Sequence, residues 1–164
     1  MSEQEPPATV DNRVLRMWQK CNRYPLGRYV FSQIFARVAP FNAVIRPRVL
    51  EAKPGRARIA MQERRRLQQH LRSVHAGALF TLAESTSGLA MAASVPDSAR
   101  IIVTDISINF LKKAHGVLTA EGTCDIPDAT VQQRHEVHVT ISDESGDEVA
   151  RATIAWVVGP RPGR

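Results

Sequence analysis

The stretch that decides the fold spans His75–Ser94 and reads HAGALFTLAESTSGLAMAAS. Eight of its twenty residues are glycine or alanine, none is proline, and Pro96 follows shortly after its end. A mostly apolar segment of this length with a single charged residue, closed by proline, predicts one long helix. Because glycine lets a neighbouring backbone come close, and alanine is little larger, we expect this helix to be buried against a sheet.

The segments on both sides of this helix alternate in polarity, as half-buried strands do. Before the helix, a strand is predicted across 41–50, followed by a turn at 53–55 and a second strand around Ile59. Four strands are predicted after it, and their inward positions are Ile102, Ile106, Ile108 and Phe110; Leu118, Ala120, Gly122 and Cys124; Val131, Val137, Val139 and Ile141; and Ala152, Ile154, Trp156 and Val158. Short turns between strands indicate an antiparallel sheet, so the fold class is α+β with the sheet packed on one long helix.

Two amphipathic helices are predicted ahead of the first strand, around Trp18 and around Phe31. Pro25 and Gly27 separate them, and Pro40 ends the second. We therefore predict an N-terminal helical appendage at 1–40 with frayed first residues, a main domain at 41–159, and a loose tail at 160–164.

The basic charge of the chain is local. The chain has 164 residues, 22 Lys+Arg against 16 Asp+Glu, and a net charge of +6. Residues 44–72 contain nine basic and two acidic side chains, whereas residues 118–150 contain eight acidic and one basic. Most such runs are solvated faces, although arginines also bind phosphate groups. Nucleic acid is not the expected partner, because only 5% of residues are aromatic and no binding motif is present.

The chain lacks the sequence signals of metal binding, export and membrane insertion. Cys21 and Cys124 form no CxxC pair, and the histidines and cysteines give no ligand set, so we expect no metal and no cofactor. The first residues do not resemble a signal peptide, and no apolar run is long enough for a membrane span. We expect a reduced, cytoplasmic setting.

Glu84 is the only charged residue of the long predicted helix. A buried carboxylate is costly unless it is paired, and such a group is a candidate for a raised pKa and for acid–base chemistry. The alternative is that Glu84 faces solvent or pairs with one of the many arginines.

His75 stands where the helix begins, so the amide of Ala76 or Gly77 could donate a hydrogen bond to a carbonyl oxygen that gains negative charge. Alternatively, His75 is a structural residue that caps the helix. Nine residues of helix put His75 and Glu84 on opposite faces and roughly 13 Å apart, so joint action requires a site shared between two subunits.

A family resemblance follows from these residues. The segment His75-Ala-Gly77-Ala with Leu82-Ala-Glu84-Ser resembles the H-G/A-G-x…A-E-S motif of hot-dog fold acyl-CoA thioesterases. The branch it is most similar to comprises phenylacetate-pathway and enterobactin-associated enzymes with their uncharacterised bacterial relatives. Gln69 occupies the place of a family Gln or Asn, and 106–116 resembles a family strand-turn motif. The resemblance covers 41–158 and implies the hot-dog fold, an antiparallel sheet wrapped around one long central helix.

The resemblance also implies roles for single residues. Glu84 would be the general base or the nucleophile, the amide of Ala76 the oxyanion donor, and Gln69 and His75 would orient the thioester or the water across a dimer interface. The residues expected to contact the substrate or its coenzyme A part are Gly77, Ser87, Arg64, Arg65, Arg66, Lys112 and Lys113. The chain departs from the pattern at Ala76, where many relatives have glycine, and at Gly88, where some have Ser or Thr.

Three functions remain open from the sequence. The leading hypothesis is hydrolysis of an acyl-CoA thioester to a free acid and coenzyme A by a homodimer or a dimer of dimers (a homotetramer). The second is an acyl-CoA or lipid-binding hot-dog module without catalysis, which Ala76 and Gly88 would favour. The third is dehydration of an acyl thioester, which would give an enoyl product rather than a free thiol.

Overall fold

The computed structural model describes residues 10–162, which form three helices and six strands. The helices are α1 (Arg13–Asn22), α2 (Gly27–Val38) and α3 (Ala76–Ser94), and short 3-10 turns lie at Pro40–Val44 and Arg65–Leu67. The strands are β1 (Arg48–Lys53), β2 (Arg56–Gln62), β3 (Ala99–Phe110), β4 (Val117–Thr123), β5 (Gln133–Ser142) and β6 (Glu148–Pro160). The predicted succession of helices and strands is confirmed.

All six strands belong to one antiparallel sheet with the order β1-β2-β4-β5-β6-β3. β3 pairs with β6 along its whole length, from Ala99 opposite Pro160 to Phe110 opposite Ala150. Its other side has no partner strand among the described residues, so β3 is a long open edge.

Helix α3 packs against all six strands of this sheet, as its small residues predict. Leu82, Ala83 and Ala90 are fully buried against the strands. A Cβ added to Gly122 of β4 would lie 3.3 Å from the Thr86 side chain, so this glycine allows the closest approach of sheet and helix. Phe80, Glu84 and Gly88 are spaced four residues apart and form a stripe on the more open side of the helix. Of these three residues, Phe80 is exposed, and Glu84 and Gly88 are half-buried.

The N-terminal helices pack on the same core. The side chain of Asn12 caps α1 by accepting from the Leu15 amide, and its Nδ2 donates to the carbonyls of Ala92 and Val95 at the end of α3. The Trp18 and Phe31 rings meet edge to face at 5.1 Å. The division at residue 40 into an appendage and a main domain stays a prediction.

The strand predicted across 41–50 is wrong in its first half. Residues 40–44 form a 3-10 turn with Pro40 at its start, and the sheet begins at Arg48. Pro47 has no amide hydrogen to donate to the ladder, and Arg46 has the left-handed φ of 49°, so the chain bends just before β1.

Two strands differ in detail from their predicted alternation. The register of β3 shifts between Val103 and Asp105, so Ile101 packs against the core and Ile102 is exposed, whereas Ile106 and Ile108 face inward as predicted. A bulge of this kind changes which face the following residues occupy. Two other positions predicted to face inward, Val131 ahead of β5 and Phe110 at the end of β3, are exposed.

The chain ends are only partly described. β6 reaches Pro160, and Arg161 donates hydrogen bonds to the carbonyls of Ser98 and Ala99, so the predicted tail is held farther along than expected. The last two residues of that tail, and residues 1–9 of the segment predicted to fray, lie outside the described residues.

Candidate active site

His75 caps helix α3. Its Nδ1 accepts a hydrogen bond from the Gly77 amide at 2.9 Å, and its own amide donates to the carbonyl of Leu67 at 2.7 Å. The neutral ring therefore carries its proton on Nε2, which leaves that N–H to donate to another group. A Cβ on Gly77 would lie 3.2 Å from Nδ1, so glycine at this position leaves room for the His75 ring to make this hydrogen bond.

The hydrogen bond that caps the helix leaves one of the two amides considered as oxyanion donors free. The Gly77 amide is used by His75, whereas the Ala76 amide donates to no acceptor among the described residues. Ala76 is exposed at the first turn of α3. Because the first amides of a helix have no intrahelical acceptor and carry partial positive charge, the Ala76 amide is the available donor here.

Gln69 is fixed by the loop ahead of the helix. Its Nε2 donates to the Ser73 hydroxyl at 2.8 Å, and the two residues also pair through a backbone bond of 2.9 Å from the Gln69 amide to the Ser73 carbonyl. Arg72 closes the loop with a left-handed φ of 57°. Ser73 is buried, and the sequence analysis did not single it out; its only signal was a polar residue two positions before His75.

A pocket of about 330 Å³ brings several predicted residues together. Gln69, His75 and Ala76 line one side of it, and the chain that leaves β3 at 110–114 lines the other. Phe110 and Leu111 supply an apolar wall that the sequence analysis did not identify as part of a site. The pocket therefore combines hydrogen-bond donors with apolar surface, as small-molecule sites do.

The two lysines predicted to bind coenzyme A line this pocket but differ from each other. Lys112 is held in two ion pairs, at 2.8 Å to Asp143 and 2.6 Å to Asp147, and its pKa is raised first by the hydrogen bond to Asp143. Lys113 has no ion pair with a described residue. Of the two, Lys113 is the one free to meet an anion.

Glu84 lies outside that pocket, on the open stripe of α3. Because the helix is continuous from Ala76, the two residues are about 12 Å apart along its axis. The Glu84 carboxylate is half-buried, and its side chain has no hydrogen bond or ion pair with any described residue. Burial raises its pKa, and no neighbouring charge offsets this effect. The alternative of pairing with an arginine is therefore not found within residues 10–162.

Ser87 has a structural place next to Glu84. Its hydroxyl donates to the Glu84 carbonyl at 2.8 Å and accepts from Nε1 of Trp156 at 3.3 Å, and the residue is fully buried. The hydroxyl is thus unavailable to a ligand in this conformation, contrary to the predicted contact. A Cβ on Gly88 would lie 3.4 Å from the Trp156 ring, which is ordinary contact.

The Arg64–Arg66 run is divided between two places. Arg64 lines a cavity beside α2 and β1, not the pocket of Gln69 and His75. Arg65 and Arg66 are exposed on the following 3-10 turn and line neither pocket. The predicted use of all three arginines at one landing place for phosphates therefore has no support from their placement.

Two kinds of feature are absent from residues 10–162. No group of three His, Cys, Asp or Glu side chains is placed to hold a metal ion. None of the described helices has the length and apolar character needed to cross a membrane.

Known structures of similar shape support the fold. The chain is similar to the crystal structure of genomics APC5556, with 30% identity, a TM-score of 0.75, and coverage of 90% of this chain and 99% of that chain. It is also similar to PA5026 from Pseudomonas aeruginosa, a probable thioesterase (23% identity, TM-score 0.72, 79% and 93% covered). A third is a hypothetical thioesterase from Streptococcus pneumoniae TIGR4 solved with coenzyme A (22% identity, TM-score 0.65, 78% and 99% covered). These likenesses confirm the predicted hot-dog fold.

Sequence comparison gives the family. No curated protein matches the sequence. A family model described as a domain of unknown function, DUF4442, matches residues 27–158, a range that starts with α2 and so exceeds the predicted resemblance at its N-terminal end. The chain therefore belongs to the DUF4442 family, with the hot-dog fold of the thioesterase-family proteins to which it is similar.

Proposed function

We propose that this protein hydrolyses an acyl-CoA thioester to a free acid and coenzyme A. The observation that carries the proposal is Glu84, a half-buried carboxylate on the open stripe of the central helix that has no partner among the described residues. A fold gains no stability from such a group, because burial disfavours its charge and no partner compensates. A carboxylate with a raised pKa is suited to take up a proton at near-neutral pH.

In the proposed reaction Glu84 acts as the general base. It takes a proton from a water molecule as the water oxygen attacks the thioester carbonyl carbon, and the Ala76 amide donates to the carbonyl oxygen as it becomes negative. When the C–S bond breaks, the proton passes to the thiolate sulfur, which gives free thiol and free acid. Nε2–H of His75 and the amide of Gln69 would orient the thioester or the water.

The reaction needs two copies of the chain, because the pocket and Glu84 are separated along one helix. We propose a homodimer that forms through the open edge of β3. That strand exposes Ile102 and Val103, and the pocket wall at 110–114 continues directly from its end. A twofold axis at this edge would join two sheets. The pocket of one copy could then face Glu84 of the other.

Thiol release from a panel of acyl-CoA substrates tests the proposal. We expect turnover with at least one substrate, and Glu84→Ala should lower it at least about a hundredfold, the usual range for a general base. Glu136→Gln, which removes an exposed carboxylate on β5, is the control and should leave turnover unchanged. Full activity of Glu84→Ala would remove Glu84 from the mechanism.

A second candidate is acyl-CoA binding without turnover. The observation in its favour is Gly88, which offers no hydroxyl one helical turn after Glu84 where some relatives of the resembled family carry Ser or Thr. Tight binding of an acyl-CoA with no thiol release across the panel would favour this candidate. An enoyl product would indicate dehydration instead.

A further inference from the structure

A second cavity, of about 890 Å³, lies between α2, the chain ahead of β1 and the end of β2. It shares no lining residue with the pocket beside His75. Its volume is within the range of sites that take a drug-sized ligand. The proposed function does not use this cavity.

Four arginines line the cavity: Arg28, Arg46, Arg48 and Arg64. No carboxylate of residues 10–162 lines it, and none of the four forms an ion pair with a described residue. The nearby strand arginines differ, because both Arg56 and Arg58 contact the carboxylate of Glu121. Arg28, Arg46 and Arg48 are exposed and Arg64 is half-buried, so water screens part of their mutual repulsion, and a bound anion would relieve the rest.

Hydrogen bonds hold two of these four arginines in place. Nη2 of Arg64 donates to the Val44 carbonyl at 2.8 Å, and Nε of Arg28 donates to Oδ1 of Asn22 at 3.0 Å. Arg46 has the left-handed φ of 49°, a conformation that side-chain-bearing residues adopt rarely and that clusters at ligand sites. Each guanidinium keeps further N–H groups for a ligand.

The rest of the lining is apolar or neutral. Ala36, Val49 and Leu50 supply apolar surface, and Tyr29 adds an aromatic ring at the rim. The Ser32 hydroxyl is already used, since it donates to the Arg28 carbonyl and accepts from the Val49 amide. A ligand would therefore find arginine N–H groups beside an apolar wall.

We propose that this cavity binds an organic anion that carries two or more phosphate groups and a planar or apolar part. Guanidinium forks match phosphate oxygens. Four positive charges balance about two phosphate groups, each of which carries roughly −1.5 to −2 near neutral pH. The planar part lies against the apolar wall. The proposal is independent of thioester hydrolysis.

Calorimetric titration at physiological salt tests it with three probes: ADP, inorganic pyrophosphate and free coenzyme A. We expect ADP to bind, and pyrophosphate to bind more weakly because it cannot use the apolar wall. Arg28→Gln and Arg48→Gln should each weaken ADP binding about tenfold or more, the usual loss for a charge-assisted hydrogen bond. The control is Arg37→Gln, which removes the same charge from α2 at an exposed position outside the cavity and should change the Kd less than about twofold.

The outcomes separate the site from general charge and from the proposed catalysis. Absence of ADP binding by the wild-type chain at millimolar concentration would overturn the proposal, as would equal weakening by Arg37→Gln. With ADP binding established, loss of coenzyme A binding in the same variants identifies the nucleotide part of coenzyme A as the ligand. Retained coenzyme A binding identifies a separate phosphorylated ligand. Glu84→Ala should leave ADP binding unchanged, whatever its effect on turnover.

Discussion

Two regions of the candidate site on helix α3 are built in opposite ways. At its first turn and in the loop just before it, hydrogen bonds hold the polar side chains: His75 accepts from Gly77, and Gln69 donates to the buried Ser73. In its middle, the carboxylate of Glu84 has no partner among the described residues although it is half-buried. The first turn is therefore preformed, whereas burial of the Glu84 carboxylate costs stability with no compensating partner among the described residues, as its proposed role as a base would explain.

Substitution of His75 is expected to lower turnover more than any other change at the first turn. His75→Asn retains an oxygen that can accept from the Gly77 amide, since asparagine is among the best N-caps, but removes the Nε2–H. We expect the unfolding temperature to stay close to that of the wild type while kcat falls about tenfold or more. His75→Ala should lose the cap as well, at a cost of about 1 kcal/mol.

The His75 pair of variants separates the two roles by measurement of both stability and thiol release. If His75→Asn keeps full turnover, the residue is only a cap. In that case the first turn contributes structure and no chemistry beyond the Ala76 amide.

Glu84 is expected to make the free energy of unfolding depend on pH. Burial raises the pKa of Glu84 in the folded state, so folding favours the protonated carboxyl. The contribution of Glu84 to folding stability is therefore full below the ordinary pKa of about 4.3, and it is lost as pH rises through the raised pKa of the folded state. Glu84→Gln is neutral at every pH. Its advantage in free energy of unfolding over the wild type should therefore grow as pH rises through the raised pKa of Glu84 and level off above it.

Urea unfolding of both proteins at several pH values measures this difference, with Glu136→Gln as the matched exposed control. A constant difference across that range would mean that the Glu84 carboxylate is not disfavoured by burial. The same result would weaken its assignment as the base.

Gly88 is the position with the smallest expected effect. A Cβ there would meet the Trp156 ring at an ordinary contact distance, and alanine favours a helix over glycine by up to about 1 kcal/mol. Gly88→Ala should therefore be slightly more stable than the wild type, with turnover nearly unchanged. Denaturant midpoints test this, and a clear loss of stability would show that the helix and the Trp156 ring are packed more tightly there than the distances indicate.

The helices and strands could be predicted from the sequence better than their ends and their register. The apolar alternation of β4 and the small-residue run of α3 are local signals, and both are confirmed. The 3-10 turn after Pro40 and the bulge of β3 depend on how the chain packs, so the alternation around 41–50 and at Ile102 predicted the wrong details.

The site shows the same limit. Gln69, His75 and Ala76 share a pocket as the motif implied. Lys112 is bound by two aspartates more than thirty residues away, and Arg64 lines a cavity built partly by α2. Neither contact could be predicted from charge along the chain, because the partner of a long, flexible lysine or arginine side chain depends on the tertiary fold.

Mixing two impaired variants tests whether Glu84 of one copy works with the first turn of another. Glu84→Gln and His75→Asn chains are unfolded, combined in equal amounts and refolded together. Half of the dimers then contain one of each chain and hold one intact shared site, so thiol release should recover to about a quarter of the wild-type rate. Recovery no greater than the average of the two separate variants would contradict a shared site.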